Sequence, residues 1–238
     1  MARLKTLRSV LPEALGEQLE PHARQVTLRA GQIIIGHQDR TTDVFIVLAG
    51  TLRVELVSLN GKEIILADLS AGELFGEYSA IDDQPRSASV SATTACTLAC
   101  VPGPRFREAA LSSPATAEWL AQRLVGRIRL LTERNFELNA LAVRNRLHCE
   151  LLRLALDAGI AANRATIRPA PTHAQLAARI GTQRETVTRE LQYLLRRGIV
   201  AQQGGALAIS DIAELIEIVR AASGDVGVIQ RAKGSGTD

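Results

Sequence analysis

Residues 172–198 read THAQLAARIGTQRETVTRELQYLLRRG, and this stretch decides the fold of the C-terminal part of the chain. Thr172 stands where a helix cap is wanted, and the spacing predicts a short helix from His173 to Ile180. Gly181 makes a turn. A second helix follows from Gln183 to Arg197, with Gly198 as its stop. In that helix Val187, Leu191 and Leu194 form one apolar face, with Leu195 beside it. Arg184, Glu185 and Arg189 lie near its N-terminal end on the opposite side. Downstream, IVAQQ and ALAIS flank Gly204-Gly205 as two strands of a wing, and residues 211–222 form a last helix behind a Ser210/Asp211 cap.

Helix, glycine turn, basic helix and wing together are the helix-turn-helix layout, in which early residues of the second helix reach base edges in the major groove. An arginine fork matches O6 and N7 of guanine, and a glutamate accepts from N4 of cytosine. Arg184, Glu185 and Arg189 therefore predict a half-site rich in G·C pairs. Thr182, Gln183 and His173, at helix starts, are candidates for phosphate contacts. Charge follows the same division. Residues 1–140 carry 15 Lys+Arg against 16 Asp+Glu, whereas residues 141–222 carry 11 Arg against 7 acids. Within 164–197 the count is 7 Arg to 2 acids. A basic patch confined to one segment suits a phosphate backbone, although a solvated basic face of a helical bundle gives the same count.

Towards the N-terminus the texture changes. Residues 9–20 read as a short amphipathic helix. From about 24 to 101, apolar runs such as QIIIG, DVFIVLAG, TLRVELVSL and EIILADL alternate with turn signals at Ala30-Gly31, Ala49-Gly50, Asn60-Gly61 and Ala71-Gly72. The Asn-Gly between two apolar runs predicts a hairpin. Six to eight strands at this spacing predict a small antiparallel barrel or jelly roll. After Pro114 a helical pattern runs to about Asn139. Its apolar positions Ala117, Leu120, Leu124, Leu131, Leu138 and Leu141 mark a heptad seam, with Arg127 and Arg134 at the skipped places. A helix of roughly 25 residues is about 37 Å long, more than packing on a small barrel requires. It reads either as a core helix or as one that pairs with its twin in a dimer through residues 117–141. Residues 142–158 form another helix, followed by a loop with Asn163, Pro169 and Pro171. The fold class is thus α+β: a barrel domain at 1–113, a long helix at 114–140, a winged helix-turn-helix at 141–222, and a glycine-rich, charged tail at 223–238 expected to be mobile.

The bulk composition narrows the function classes. With 46% apolar and 22% charged residues the chain is ordinary for a globular protein, and no apolar run reaches a membrane span. The N-terminus reads as a cytoplasmic start rather than a signal peptide. Cys96, Cys100 and Cys149 are odd in number and lack a CxxC pair, so buried thiols are expected. His22, His37, His148 and His173 show no metal-ligand spacing, and no catalytic Ser/His/Asp grouping is visible. A non-enzymatic protein without a metal is expected.

One further segment carries chemistry: Gly72-Glu73-Leu74-Phe75-Gly76-Glu77-Tyr78-Ser79-Ala80, then Asp82-Asp83-Gln84 and Pro85-Arg86-Ser87-Ala88. Two glycines let the backbone approach a ligand closely. A helix starting near Gly76 offers unpaired N–H groups to an anion. Arg86 supplies a bidentate phosphate partner, Ser87 a hydroxyl, and Glu77 an acceptor for a ribose hydroxyl. A bare Glu77–Arg86 salt bridge reads equally well on spacing alone.

FGEYSAIDDQPRSASV, residues 75–90, resembles the phosphate-binding cassette of cyclic-nucleotide-binding domains. RIGTQRETVTREL, residues 179–191, resembles the recognition segment of the catabolite activator protein branch of the CRP/FNR family. The resemblance runs from about residue 9 to 222. It implies that Glu77 holds the ribose 2′-OH, that Arg86 and Ser87 hold the cyclic phosphate, and that backbone groups of Gly76 and Glu77 close a pocket whose cassette includes Tyr78 and Ser79. It places the base against the long helix, with Leu131 and Thr132 at the purine edge. The resemblance implies cAMP as effector, and one hydroxyl at the purine edge where two are expected leaves adenine and guanine undiscriminated, so that cGMP is also admitted. The resemblance further implies a half-site like TGTGA in an inverted repeat, a homodimer, and double-stranded DNA and RNA polymerase as partners. The absence of any cysteine before Cys96 separates the chain from the oxygen-sensing branch. Three rivals stand beside this reading: a regulator of the same architecture that is nucleotide-independent or senses another effector, an enzyme that uses a bound nucleotide, and a nucleotide-gated module without DNA contact.

Overall fold

The computed structural model describes residues 6–224 and 226–234. The chain divides into two compact units, Met1–Arg127 and Ile128–Asp238. The division falls inside one continuous helix, α5 (Pro114–Ala140).

The first unit opens on α1 (Leu7–Val10) and α2 (Glu13–Leu19), not on the single helix 9–20 that the apolar pattern predicts. Pro12 disfavours helical backbone in the residue before it, and Leu11 is extended, with φ −101° and ψ 161°. Eight strands follow: β1 (Arg24–Leu28), β2 (Ile33–Ile35), β3 (Val44–Ala49), β4 (Leu52–Val57), β5 (Glu63–Leu69), β6 (Leu74–Phe75), β7 (Ser89–Ala92) and β8 (Cys96–Val101). Two helices interrupt and close the series, α3 (Glu77–Asp82) between β6 and β7 and α4 (Gly103–Ala110) after β8. The strands form two antiparallel sheets, ordered β1-β8-β3-β6 and β2-β7-β4-β5. The Asn60-Gly61 hairpin is present: Gly61 takes φ +78°, its N–H donates to Ser58 O at 2.8 Å, and β4 pairs with β5.

Strand β3 shows why this sheet must be covered on both sides. Phe45 and Val47 pack between the sheets with Leu52, Leu69, Phe75, Val90 and Leu98. Val44, Ile46 and Leu48 point the other way, against Leu15, Leu19, Phe106 and Leu120 of the helices. A strand buried on both faces reads as a continuous apolar run, as VFIVLA does. The Phe45 and Phe75 rings stack at 5.2 Å across the β3–β6 pair.

The second unit holds the later part of α5, then α6 (Val143–Ala158), β9 (Ala165–Ile167), α7 (His173–Ile180), α8 (Arg184–Arg196), β10 (Val200–Gln203), β11 (Ala206–Ile209), α9 (Ile212–Ser223) and α10 (Gly227–Gly234). Gly204 and Gly205 take φ +50° and +76° and turn β10 back on β11. Strand β9 lies in the segment read as loop and adds a third strand, in the order β10-β11-β9. Three residues are too short for their alternation to show in sequence. The core gathers Leu147, Leu151, Leu152, Leu176, Ile180, Leu194, Leu215 and Val219.

The expectation of a mobile tail from 223 is corrected. Ser223 belongs to α9, and residues 227–234 form α10, whose Val228, Ile229 and Ala232 are buried in that core. The glycines and charges around GVIQRAKG dominate its composition, but its apolar residues fall on one helical face. Residues 235–238 lie outside the described residues.

Candidate functional site

The cassette is built between β6 and β7. Gly76 ends β6 in the left-handed region, φ +86° and ψ 2°, and α3 starts at Glu77. A Cβ at Gly76 would lie 2.8 Å from both Arg86 Nη1 and Asp43 O. Glycine is therefore required twice, by conformation and by space.

Arg86 is buried, and its guanidinium bridges the Gly76 turn and the segment that leads into β3. Nη1 donates to Gly76 O at 2.7 Å, Nη2 to Asp43 O at 2.6 Å, and Nε to Thr41 Oγ1 at 3.1 Å. Burial pulls its pKa below the usual arginine value against the attraction of Asp43, Asp39 and Glu77. Glu77 is 8% exposed, and burial pushes its carboxyl above the ordinary carboxylate range, against the pull of Arg123, Arg127 and Arg86. Among the described residues no ion pair joins Glu77 to Arg86, so the bare salt bridge is not formed. The cassette holds a carboxylate and a guanidinium side by side without spending one on the other, which a sugar-phosphate could use. Ser79 is buried, whereas Tyr78 and Ser87 are exposed.

Sequence reading missed three participants. Thr41 and Asp43 hold Arg86 from more than 40 positions away, and no local pattern marks them. Arg123 on α5 donates from Nη2 to Leu74 O at 2.6 Å, keeps Nε buried without a partner, and pulls on the Glu77 carboxylate more strongly than Arg86 does. A polar residue on a long amphipathic helix reads as surface. Leu131 and Thr132 are exposed on α5 in the second unit, where Thr132 Oγ1 donates to Ile128 O.

The Glu77 burial gives a signed prediction. A folded pKa above the unfolded one means the group disfavours folding once pH rises past its ordinary value. Glu77→Gln is therefore expected to raise the thermal midpoint at pH 7 by about 2–4 °C, for roughly 1 kcal/mol. The advantage should vanish below the ordinary carboxylate pKa. Differential scanning calorimetry at pH 7 and at about pH 4 measures both. A fall in midpoint at pH 7 contradicts the assignment.

In the second unit Thr172 caps α7: its Oγ1 accepts from Gln175 N at 3.1 Å, and Gln175 Oε1 accepts from Thr172 N at 2.9 Å. Gly181 turns in the left-handed region, φ +65° and ψ 45°. Helix α8 buries Val187, Leu191 and Leu194 and leaves Gln183, Arg184, Glu185 and Arg189 exposed at its N-terminal end. Thr182 is half-buried, its N–H donating to Ala177 O. His173 is also half-buried, and its Nδ1 shares a 2.7 Å hydrogen bond with Thr188 Oγ1, clipping α7 to α8. On α6, buried His148 meets Glu190 Oε1 through Nε2 at 2.8 Å and holds α8 from behind. Burial lowers the His148 pKa against the pull of Glu190.

All three cysteines are buried and free, and burial pushes the Cys100 and Cys149 thiols up to about 11 and about 12. Among the described residues no group of three or more His, Cys, Asp or Glu could hold a metal ion, and no helix is long and apolar enough to cross a membrane.

Residues 25–113 match the cyclic nucleotide-binding domain family, and residues 145–218 match the Crp-like helix-turn-helix domain family. The chain is 36% identical over 195 residues to the cyclic AMP receptor protein of Thermus thermophilus, covering 79% of this chain and 84% of that one. It is 25% identical over 224 residues to a CRP-like cAMP-activated global transcriptional regulator of Mycobacterium tuberculosis, covering 92% and 98%. A crystal structure of a CRP/FNR family transcriptional regulator, also from Thermus thermophilus, superposes with a TM-score of 0.66 at 27% identity, covering 83% of this chain and 98% of that one. Both domain matches and the extent of these likenesses agree with the two units built above: this chain belongs to the CRP/FNR family of transcription regulators.

Proposed function

We propose that the chain is a cytoplasmic, homodimeric, cyclic-nucleotide-dependent transcription regulator that answers to cAMP, with cGMP also admitted, and binds a palindromic TGTGA-like operator from which it addresses RNA polymerase. One observation carries the reading: Glu77 and Arg86 are buried together in the cassette without pairing, in a chain whose α8 leaves Arg184, Glu185 and Arg189 exposed. In this reading Arg86 and Ser87 take the cyclic phosphate, Glu77 the ribose, and Leu131 and Thr132 the purine edge. Of the heptad seam, Leu131 and Leu138 are exposed, with Ile128 beside them, and supply an apolar face for a second copy, whereas Leu120 is buried in the first unit's own core, with Leu124 packed against it, and leaves the seam. Ligand capture then favours the dimer that spaces two α8 helices about 34 Å apart, one DNA turn. The shift can be no larger than the ligand's differential affinity for the two states. Operator affinity measured without nucleotide, with cAMP and with cGMP tests this. An affinity unchanged at saturating nucleotide rejects it.

A second reading has its own support. Three of the Arg86 donor groups already serve protein acceptors, which suits a regulator of this architecture that senses another effector or none. Calorimetric titration with cAMP separates the two. For the reading head, Arg184→Ala is expected to reduce discrimination between TGTGA and a half-site with its guanines changed by about tenfold, with non-specific binding at the same salt little altered. Equal loss on both DNAs in a mobility-shift assay would make Arg184 a phosphate contact instead.

A further inference from the structure

Around the end of α5 the second unit buries a network of charge. The Glu150 carboxylate on α6 receives three guanidiniums: Arg134 of α5 at 2.6 Å, Arg153 of α6 at 3.1 Å and Arg179 of α7 at 3.3 Å. Arg153 also forks onto Glu137 of α5, with both distances 2.7 Å. Arg231 of α10 forks onto Glu133 of α5 at 3.0 and 3.2 Å. Gly227 allows this approach, since a Cβ there would lie 2.8 Å from Glu133 Oε2. Glu150, Glu137 and Arg153 are buried.

The network straddles Leu141 and Ala142, where α5 stops and α6 begins, and Ala142 is extended, with φ −60° and ψ 151°. A two-residue joint between helices is an obvious hinge. Buried ion pairs add little over apolar packing, but forked ones are directional. Here they come from four helices, and one is the first helix of the helix-turn-helix. Leu138 of α5 also reaches the turn, its Cδ2 lying 3.5 Å from where a Gly181 Cβ would be.

We propose that Glu150 and Arg179 are positioning residues for DNA reading: with Arg134, Arg153 and the α10 clasp they bolt the helix-turn-helix to the end of α5, so that the joint at Leu141 and Ala142 transmits orientation instead of swinging freely. This rests on the assignment of α8 as the reading helix. Its test needs neither nucleotide nor operator, so the two can fail separately.

Nitroxide labels are placed at Asn139→Cys on α5 and Gln192→Cys on α8, both exposed positions, while the native thiols are buried. Labelled full-length chain is diluted with unlabelled chain, and the intra-chain distance distribution is recorded by pulsed dipolar spectroscopy. The parent should give one narrow peak. Glu150→Gln and Arg179→Met should each broaden it at least twofold. Arg179→Met leaves Glu150 two of its arginines, and so it decides the matter if Glu150→Gln does not fold. A purely stabilising role would lower the thermal midpoint and leave the peak narrow. A folded Arg179→Met protein with the parent's peak width overturns the proposal.

Discussion

Replacing Arg86 by alanine is expected to weaken cAMP binding by about 100- to 1,000-fold, or about 3–4 kcal/mol, in a titration at neutral pH. Two effects add. A buried guanidinium facing a phosphate makes charge-assisted hydrogen bonds, each stronger than a neutral one. The same side chain donates to Gly76 O, Asp43 O and Thr41 Oγ1, so its loss leaves two half-buried carbonyls without that donor and frees the Gly76 turn from the segment that leads into β3. Arg86→Lys should recover part of the affinity, because it keeps the charge but cannot span three acceptors in one plane. The second unit, which holds α8, should keep its non-specific DNA affinity. An alanine variant that is folded and binds cAMP as tightly as the parent removes the cassette from the mechanism and favours the nucleotide-independent reading.

Gly76→Ala is expected to be as damaging although it removes no charged group. Left-handed backbone costs an alanine about 1–2 kcal/mol. The added methyl would stand 2.8 Å from a guanidinium nitrogen and from a backbone carbonyl. Neither neighbour gives way cheaply, because Arg86 is held at three points and Asp43 O sits at the start of β3. Relief would require parting β6 from β3, whose Phe45 and Phe75 are paired and stacked. Together these give about 3 kcal/mol, seen as a fall of roughly 6–12 °C in the thermal midpoint. Circular dichroism melts read it directly. A midpoint within about 2 °C of the parent would show that the cassette backbone is not held as described.

How much of this was legible beforehand follows from the range of each interaction. The strand-rich texture between residues 24 and 101, the Asn60-Gly61 hairpin, the long helix and the α7–turn–α8 pair were written locally, in turn residues, caps and apolar periods, whereas strands as short as β2 and β6 carry no alternation of their own. Glu77 and Arg86 were legible because glycine, carboxylate and guanidinium lie within eleven residues. Thr41, Asp43 and Arg123 were not, since each reaches the cassette from a distant element. The apolar period runs on through residues 9–20, but Pro12 forces Leu11 out of the helix and splits it in two. Helix α10 was hidden by the glycines and charges of its own segment, which its burial against α6 and α9 overrides.

Periodicity and turn chemistry, which act over a few residues, were enough by themselves to determine the α+β order of barrel, long helix and winged helix-turn-helix. Only the tertiary structure decided that Arg86 is braced by Thr41 and Asp43, that Glu77 is left buried and unpaired with it, and that Glu150 collects arginines from three helices. Those arrangements depend on burial and on partners brought together across the chain, and the cost of burying a charge is set by its final surroundings rather than by its neighbours in sequence.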